Sequence, residues 1–488
     1  MPMVLFGSLT MWLTPVWILS VGVTIGMACL LVLYGLLWLV ARPAATAVTR
    51  VVRESVLLPI TYLAAAFVGF CLLGAPVMPV KVLVESLERL PSVGPQQLSV
   101  TIPASTDDFE LPIEFRSDEV QRYAFESDQD LIVDAEKGTA YSSPMILVEG
   151  NEPYSWTPGS NRPRYFDGLV TKLYVTNQSD APAKLTTSVL TDVEMPEVHQ
   201  LPITAVAVVG TYLIYFLTYW LFPSVSVIAV ATAKEAIAQP LYILVMLGAA
   251  FALVAFIYIP YNTFGEDVKM LKDSGLTTIM VLAILVGLWT ASVSVADEIE
   301  GKTAVTLLSK PISRRQFVIG KFLGIVWPLF LMFVVLGTIL LITVSYKVVY
   351  DSRETSNPEP NWQQCDAEMI GTVPGLALAF METVVLTAIS VAISTRLPML
   401  PNLIICGAIY VLGHLGPLIV QSSAGQLEFV AFVGRLIAVV LPVLDHFNIQ
   451  AAVAGGVDVP MNYLGWALLY CVLYSTAAML LALILFED

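Results

Sequence analysis

The 488-residue chain is 57% hydrophobic and only 13% charged, with a formal net charge of −15 at pH 7 and a mean hydropathy of +0.78. An average soluble domain is about 25% charged, so the composition excludes an ordinary soluble protein and indicates a polytopic membrane protein. The acid is concentrated, with 20 Asp/Glu against 9 Lys/Arg in residues 79–200, and nothing in this balance suits nucleic acid as a partner.

A membrane-crossing helix needs about 20 apolar residues. Residues 11–40 contain no charge, and a first span fits at 16–40. A secretory leader would carry a basic start and a shorter apolar core. Here the first positive charge is Arg42, beyond the span. Arg42, Arg50 and Arg53 mark a cytoplasmic loop by the positive-inside rule, which puts the N-terminus outside. A second span at 56–78 completes a two-helix membrane module over residues 1–78.

Residues 79–200 change character. Short β-rich runs occur at 97–102, 111–115, 131–133, 169–176 and 185–190, separated by turn-forming clusters. The pattern predicts an extracytoplasmic antiparallel β domain of the sandwich type. Asp107-Asp108 and Asp128-Gln129-Asp130 have the chemistry to bind calcium, but lack EF-hand spacing and read as solvated turns.

A third span at 201–222 returns to the cytoplasm, and 226–239 reads as an amphipathic helix at the interface, interrupted by Lys234 and Glu235. Six further spans follow at 241–260, 275–296, 317–345, 372–395, 401–421 and 462–485, making 223–488 a six-span unit. Nine spans from an outside N-terminus leave the C-terminus in the cytoplasm, the side on which Lys302, Lys310, Arg314, Arg315, Lys321 and Arg396 collect. Residues 425–450 are apolar around Arg435, Asp445 and His446, and read as a re-entrant or surface-lying helix pair. The expected fold is thus a membrane all-α bundle of about nine transmembrane helices with an inserted extracytoplasmic β-rich domain.

The richest polar stretch, 297–316, lies between two long apolar runs. Acids come first, then Lys310-Pro311, then Ser313-x-x-Gln316, a capping-box pattern for a helix opening at Arg314. Glu300-Gly301-Lys302-Thr303 ends like a phosphate-binding loop, but Ala296 occupies the first glycine position. Asp297, Glu298 and Glu300 would also repel phosphate, and no strand precedes them. No ATPase site of its own, and so no enzyme activity, is expected from this chain. The basic group Lys310, Arg314 and Arg315 serves topology. The neighbouring acids and the Lys-Pro break add the features of a docking surface for a soluble partner.

Inside the apolar runs, Glu382 and His414 stand out, because charge within the bilayer is costly and by default functional. They read either as a polar lining or coupled pair on a translocation path, or as an interhelical hydrogen bond that holds the bundle. The five cysteines are scattered without Cys-x-x-Cys spacing, and His199, His414 and His446 are isolated, so neither a disulfide framework nor a metal site is expected.

Glu298-x-Glu300-Gly301-x-Thr303, then Leu307-Leu308-Ser309-x-Pro311-Ile312-Ser313-Arg314, then Phe317-x-x-Gly320-Lys321, together resemble the signature of ABC-2-type exporter permeases. The likeness is strongest to permease components labelled for multicopper enzyme maturation, and it covers roughly 223–488. It implies a transport subunit of the bacterial cytoplasmic membrane, paired with a second permease subunit. A separate cytoplasmic ABC ATPase binds the ATP and moves the 297–316 connection. It further implies that Glu298, Glu300, Gly301, Thr303, Leu308, Lys310, Pro311, Arg314 and Arg315 carry the coupling. No copper ligands stand out, so copper is not carried over. Two other classes compete: a membrane-anchored receptor or scaffold presenting the β domain, and an ion-coupled secondary transporter using Glu382.

Overall fold

A backbone in hydrocarbon finds no water to bond, so long apolar runs close their hydrogen bonds within helices. The computed structural model describes residues 2–138, 145–158, 160, 162–259, 266–296, 313–354, 360–421, 432 and 441–487. Two compact units emerge, one formed by Met1–Gly74 together with Leu201–Asp488 and the other by Ala75–Gln200. The three N-terminal spans therefore belong to the same unit as the six-span region.

In the membrane unit the order is α1 (Pro2–Val40), α2 (Arg42–Arg53) and α3 (Leu57–Gly74). After α4 (Val80–Arg89) and the strands of the other unit, it resumes with α5 (Gln200–Leu221), α6 (Pro223–Ala238), α7 (Pro240–Ala255) and α8 (Asp267–Ala291). Beyond the described gap follow α9 (Arg314–Glu354), α10 (Trp362–Ile370), α11 (Val373–Ser394), α12 (Met399–Gln421), α13 (Gln450–Ala454) and α14 (Met461–Glu487).

Among the described residues, seven helices are long and apolar enough to cross a membrane, or up to eight if the bent pair α6–α7 is one span. The chain is a multi-pass membrane protein. The difference from nine lies in two places. The expected span at 241–260 is one arm of a pair bent by 62°, and α12 offers only the shorter described apolar stretch Met399–Leu415. Three helices also clearly outrun their expected spans: α1 starts at Pro2, α8 starts at Asp267 and α9 continues to Glu354. Hydropathy marks where a helix meets lipid, whereas backbone hydrogen bonding carries it further into polar sequence. Most of 425–450 lies outside the described residues.

The core of the membrane unit forms where α8, α9, α11 and α14 supply fully buried Leu276, Leu329, Leu336, Leu378, Leu386 and Ala482. The N-terminal helices join it through Leu57, Tyr212 and Tyr215, which share a cluster with Ala233 of α6 and Leu331 of α9. Tyr215 meets Trp327 edge-on at 4.8 Å. Helix α6, expected at the interface, buries Ile228, Ala229, Thr232 and Ala236 on one face and exposes Lys234 and Glu235 on the other. Its partner is the Gly320-x-x-x-Gly324 face of α9. A Cβ on Gly324 would come 2.6 Å from Thr232 Cβ and 2.7 Å from the Ala229 carbonyl oxygen. Two glycines one turn apart let the two backbones approach this closely.

The other unit holds β1 (Pro95–Ile102), β2 (Thr106–Leu111), β3 (Phe115–Arg116), β4 (Val120–Ser127), β5 (Leu131–Asp134), β6 (Ile146–Val148), β7 (Tyr154–Trp156), β8 (Leu169–Val170), β9 (Leu173–Asn177) and β10 (Ala183–Thr191). They form antiparallel sheets in the orders β1-β10-β4-β7 and β2-β9-β5-β6, plus the pair β3-β8. Ile102, Phe125 and Leu185 from the first sheet and Leu131, Val133 and Val175 from the second enter one apolar cluster. The alternation along β10 follows from period-two side-chain placement.

Strands β4, β6 and β7 escaped the sequence reading, since polar Gln121 and Arg122 interrupt the first and the others have three residues each. The expected run at 111–115 falls instead between β2 and β3. The expected turn at Asp107-Asp108 lies within β2, where the register shifts and Asp108 adopts φ 49°. The acidic groups also have local duties. Asp108, Asp128 and Asp130 accept from the backbone amides of Gly138 at 3.2 Å, Lys184 at 2.7 Å and Gly150 at 2.8 Å.

Candidate coupling face and intramembrane polar sites

Of the coupling residues expected from sequence, Glu298, Glu300, Gly301, Thr303, Leu308, Lys310 and Pro311 lie outside the described residues. Both flanks of the stretch are described. On one side α8 passes into a π-helical turn, Ser292–Ala296. On the other, the capping box is formed reciprocally: the Ser313 amide donates to Gln316 Oε1 at 3.0 Å and the Gln316 amide to Ser313 Oγ at 3.3 Å. Two amides that would otherwise face solvent unpaired are satisfied, so α9 starts at Arg314.

Arg314 and Arg315 are exposed on this first turn. Arg314 donates to the Phe486 carbonyl oxygen at 3.5 Å and lies 5.9 Å from the centroid of that ring. Arg396, in the turn between α11 and α12, donates to the Leu485 carbonyl oxygen. Phe317 stacks on Phe486 at 5.8 Å. The last turn of a helix leaves carbonyls unpaired and bears partial negative charge, which the two guanidiniums meet. The start of α9, the α11–α12 turn and the end of α14 thus form one basic face, and α9 follows the 297–312 segment directly in sequence. Lys321, two turns in, is buried with its ammonium 5.7 Å from the Phe317 ring.

Glu382 and His414 come together. The Glu382 side chain is 1% exposed, and its Oε1 lies 3.5 Å from His414 Nε2. His414 Nδ1 is 3.0 Å from the Tyr410 carbonyl oxygen. A carbonyl only accepts, so Nδ1 carries a hydrogen and Nε2 faces the carboxyl group. The two groups thus face each other across adjacent helices, although Glu382 Oε1 makes no hydrogen bond of its own among the described residues.

A second polar layer was not foreseen. Lys272 on α8 and Lys347 on α9 both have side chains only 1% exposed. Lys272 pairs with Glu368 of α10. Lys347 donates to the Ile257 carbonyl oxygen at 3.1 Å and lies 3.4 Å from Asp267 Oδ2. Carboxyl oxygens of Asp267, Asp351 and Glu354 gather within 4.8 Å of one another beside that ammonium. The Lys347 ammonium supplies a buried positive charge at the Asp267 corner of this cluster. The mixed charge of the segments around 267–273 and 347–368 is the available signal, but both lie between the spans that hydropathy marks.

Residues 234–413 match the model of the family described as ABC-2 family transporter protein. The ABC-2 region so defined begins within α6 and reaches Gly413 in α12. It includes both flanks of the coupling stretch, the glycine face of α9, Glu382 and the Lys272 and Lys347 pairs. The N-terminal spans, the β unit and α14 lie outside it. No curated protein matches the chain.

Proposed function

We propose that the chain is the transmembrane subunit of an ABC-type exporter, moved by a separate cytoplasmic ATPase through residues 297–316. The observation that carries this reading is the ABC-2 match, which encloses that stretch and the helices on either side of it. Arg314, Arg315 and Arg396 on one exposed basic face support it, since complementary charge steers and orients a docking partner. In this reading the chain binds no ATP. ATP-driven closure of the ATPase displaces the connection, and stiff α8 and α9 pass the displacement into the bundle, a two-state switch. A second copy or a related permease completes the path. The β unit, which we read as a two-sheet sandwich, then stands outside a bacterial cytoplasmic membrane, and the C-terminus lies in the cytoplasm.

The test is affinity capture of the tagged full chain from its native membrane. An ABC ATPase should co-purify, and Glu300→Lys or Arg314→Glu should lower its recovery about tenfold, the loss of one or two well-placed charge pairs. Retention of the ATPase by both variants, or nucleotide hydrolysis by the chain alone, would overturn the proposal. The Glu382–His414 contact favours a second reading, proton-coupled transport. In that case Glu382→Gln would abolish the dependence of transport on a proton gradient.

A further inference from the structure

At the end of the bundle next to the coupling stretch, three helices meet around one side chain that sequence reasoning passed over. Asn402, near the start of α12, is completely buried. Its Nδ2 lies 2.8 Å from Ser292 Oγ in the π-helical turn after α8. The same nitrogen lies 2.8 Å from Ser390 Oγ and 3.0 Å from Ser394 Oγ, both on α11. Its Oδ1 accepts from Cys406 Sγ at 3.3 Å. Ser292 Oγ in turn donates to the Leu288 carbonyl oxygen at 3.0 Å.

An amide nitrogen has two hydrogens, and here three buried hydroxyl oxygens lie within bonding distance. One of the three is always left without its share. The claimants belong to two different elements: Ser292 to the π-helical turn, Ser390 and Ser394 to the last turns of α11. π-helical turns are rare and mark places where a helix can change register. We infer that Asn402 is a positioning residue acting as a two-way latch, whose hydrogens are shared in competition between the π-helical turn and the end of α11. Tightening one contact loosens the other. Because Ala296 adjoins the coupling stretch, displacement there is passed to α11 and α12 by redistributing two hydrogen bonds, without breaking the cluster. The competition stands on the geometry alone, and its use in transport rests on the permease reading.

Hydrogen exchange read by mass spectrometry tests this on the full chain in lipid nanodiscs, with no ATPase present. Ser292→Ala removes one claimant. Amides at 293–296 should exchange faster, and those at 391–397 slower, each by about threefold to tenfold, the ratio that one net hydrogen bond supports. Ser394→Ala should do the reverse, protecting 293–296. A merely structural cluster predicts faster exchange at both places in both variants. That result, or unchanged exchange at the remote element, overturns the latch. Asn402→Asp, which replaces the Nδ2 donor by a second acceptor oxygen, should speed exchange at both. The serine variants decide the matter even if this one fails to fold. Since no partner takes part, failure of the latch and failure of the ATPase capture are read separately.

Discussion

The two ends of α8 bury polar groups in opposite ways. Lys272 lies near its start and Ser292 just past its end, about 30 Å apart at helical rise. At the first end the groups are ionic, with Lys272 on Glu368 and Lys347 beside Asp267. At the other they are neutral: one amide, three serine hydroxyls and a thiol. A buried charge left unpaired is far costlier than a buried hydroxyl left unpaired. The ionic end therefore has one acceptable arrangement and holds α8, α9 and α10 in register. The neutral end has several of similar energy, and it is the end that adjoins the coupling stretch. One helix is thus fixed at one terminus and adjustable at the other, the arrangement that the proposed permease reading asks of a lever.

The largest effect expected from this contrast is that of Lys347→Met, which leaves buried Asp267 without its ammonium and beside the carboxyls of Asp351 and Glu354. We expect a loss of about 3–5 kcal/mol, seen as a fall in thermal midpoint of the detergent-solubilised chain. Lys272→Met should cost less, about 1–3 kcal/mol, because Glu368 is 40% exposed and water screens the acid left behind. Asn402→Leu should cost about 1–2 kcal/mol in the same measurement, since neutral hydroxyls are stranded and one of them already lacks its share. If Asn402→Leu proved more damaging than Lys347→Met, the assignment of fixed and adjustable ends would be reversed.

The smallest effect belongs to an exposed pair in the β unit, Lys172 and Glu110, at 2.7 Å. The hydrogen bond and charge of Lys172 hold the Glu110 carboxyl below its ordinary value, and Glu110 holds the Lys172 ammonium above its own. The native state thus favours the charged form of both groups. Their contribution is present above the ordinary carboxylate value of about 4.3 and below the ordinary lysine value of about 10.4. It fades as pH falls through the lowered Glu110 value or rises through the raised Lys172 value. Lys172→Met should leave the thermal midpoint at pH 7 nearly unchanged, because both side chains are solvated. A large shift there would show that burial is not what separates strong pairs from weak ones in this protein.

Much of the membrane architecture was legible because its signals are local. The charge-free run at 11–40, the basic residues after it and the acid-rich segment at 79–200 stand in the sequence itself. The capping box at Ser313 and Gln316 is likewise contained in four residues, and both of its hydrogen bonds form. Glu382 and His414 were conspicuous one by one, because a titratable group in an apolar run has few bland explanations. A pairing of the two was among the readings they offered, and the 3.5 Å contact bears out the pairing without assigning it a role. Lys272 and Lys347 were missed for the opposite reason: near span ends, charge is expected and draws no notice.

Composition and local pattern by themselves determined that this chain enters the membrane repeatedly, that an acidic β-rich segment interrupts it, and where its most polar connection lies. Each of these depends on neighbours in sequence. Only the tertiary structure decided that Asn402 faces Ser292, Ser390 and Ser394, that Glu382 faces His414, and that Gly324 admits α6. A helix apolar on every side carries no periodic mark of which face meets which neighbour. That choice is made by the fit of small and polar side chains between helices.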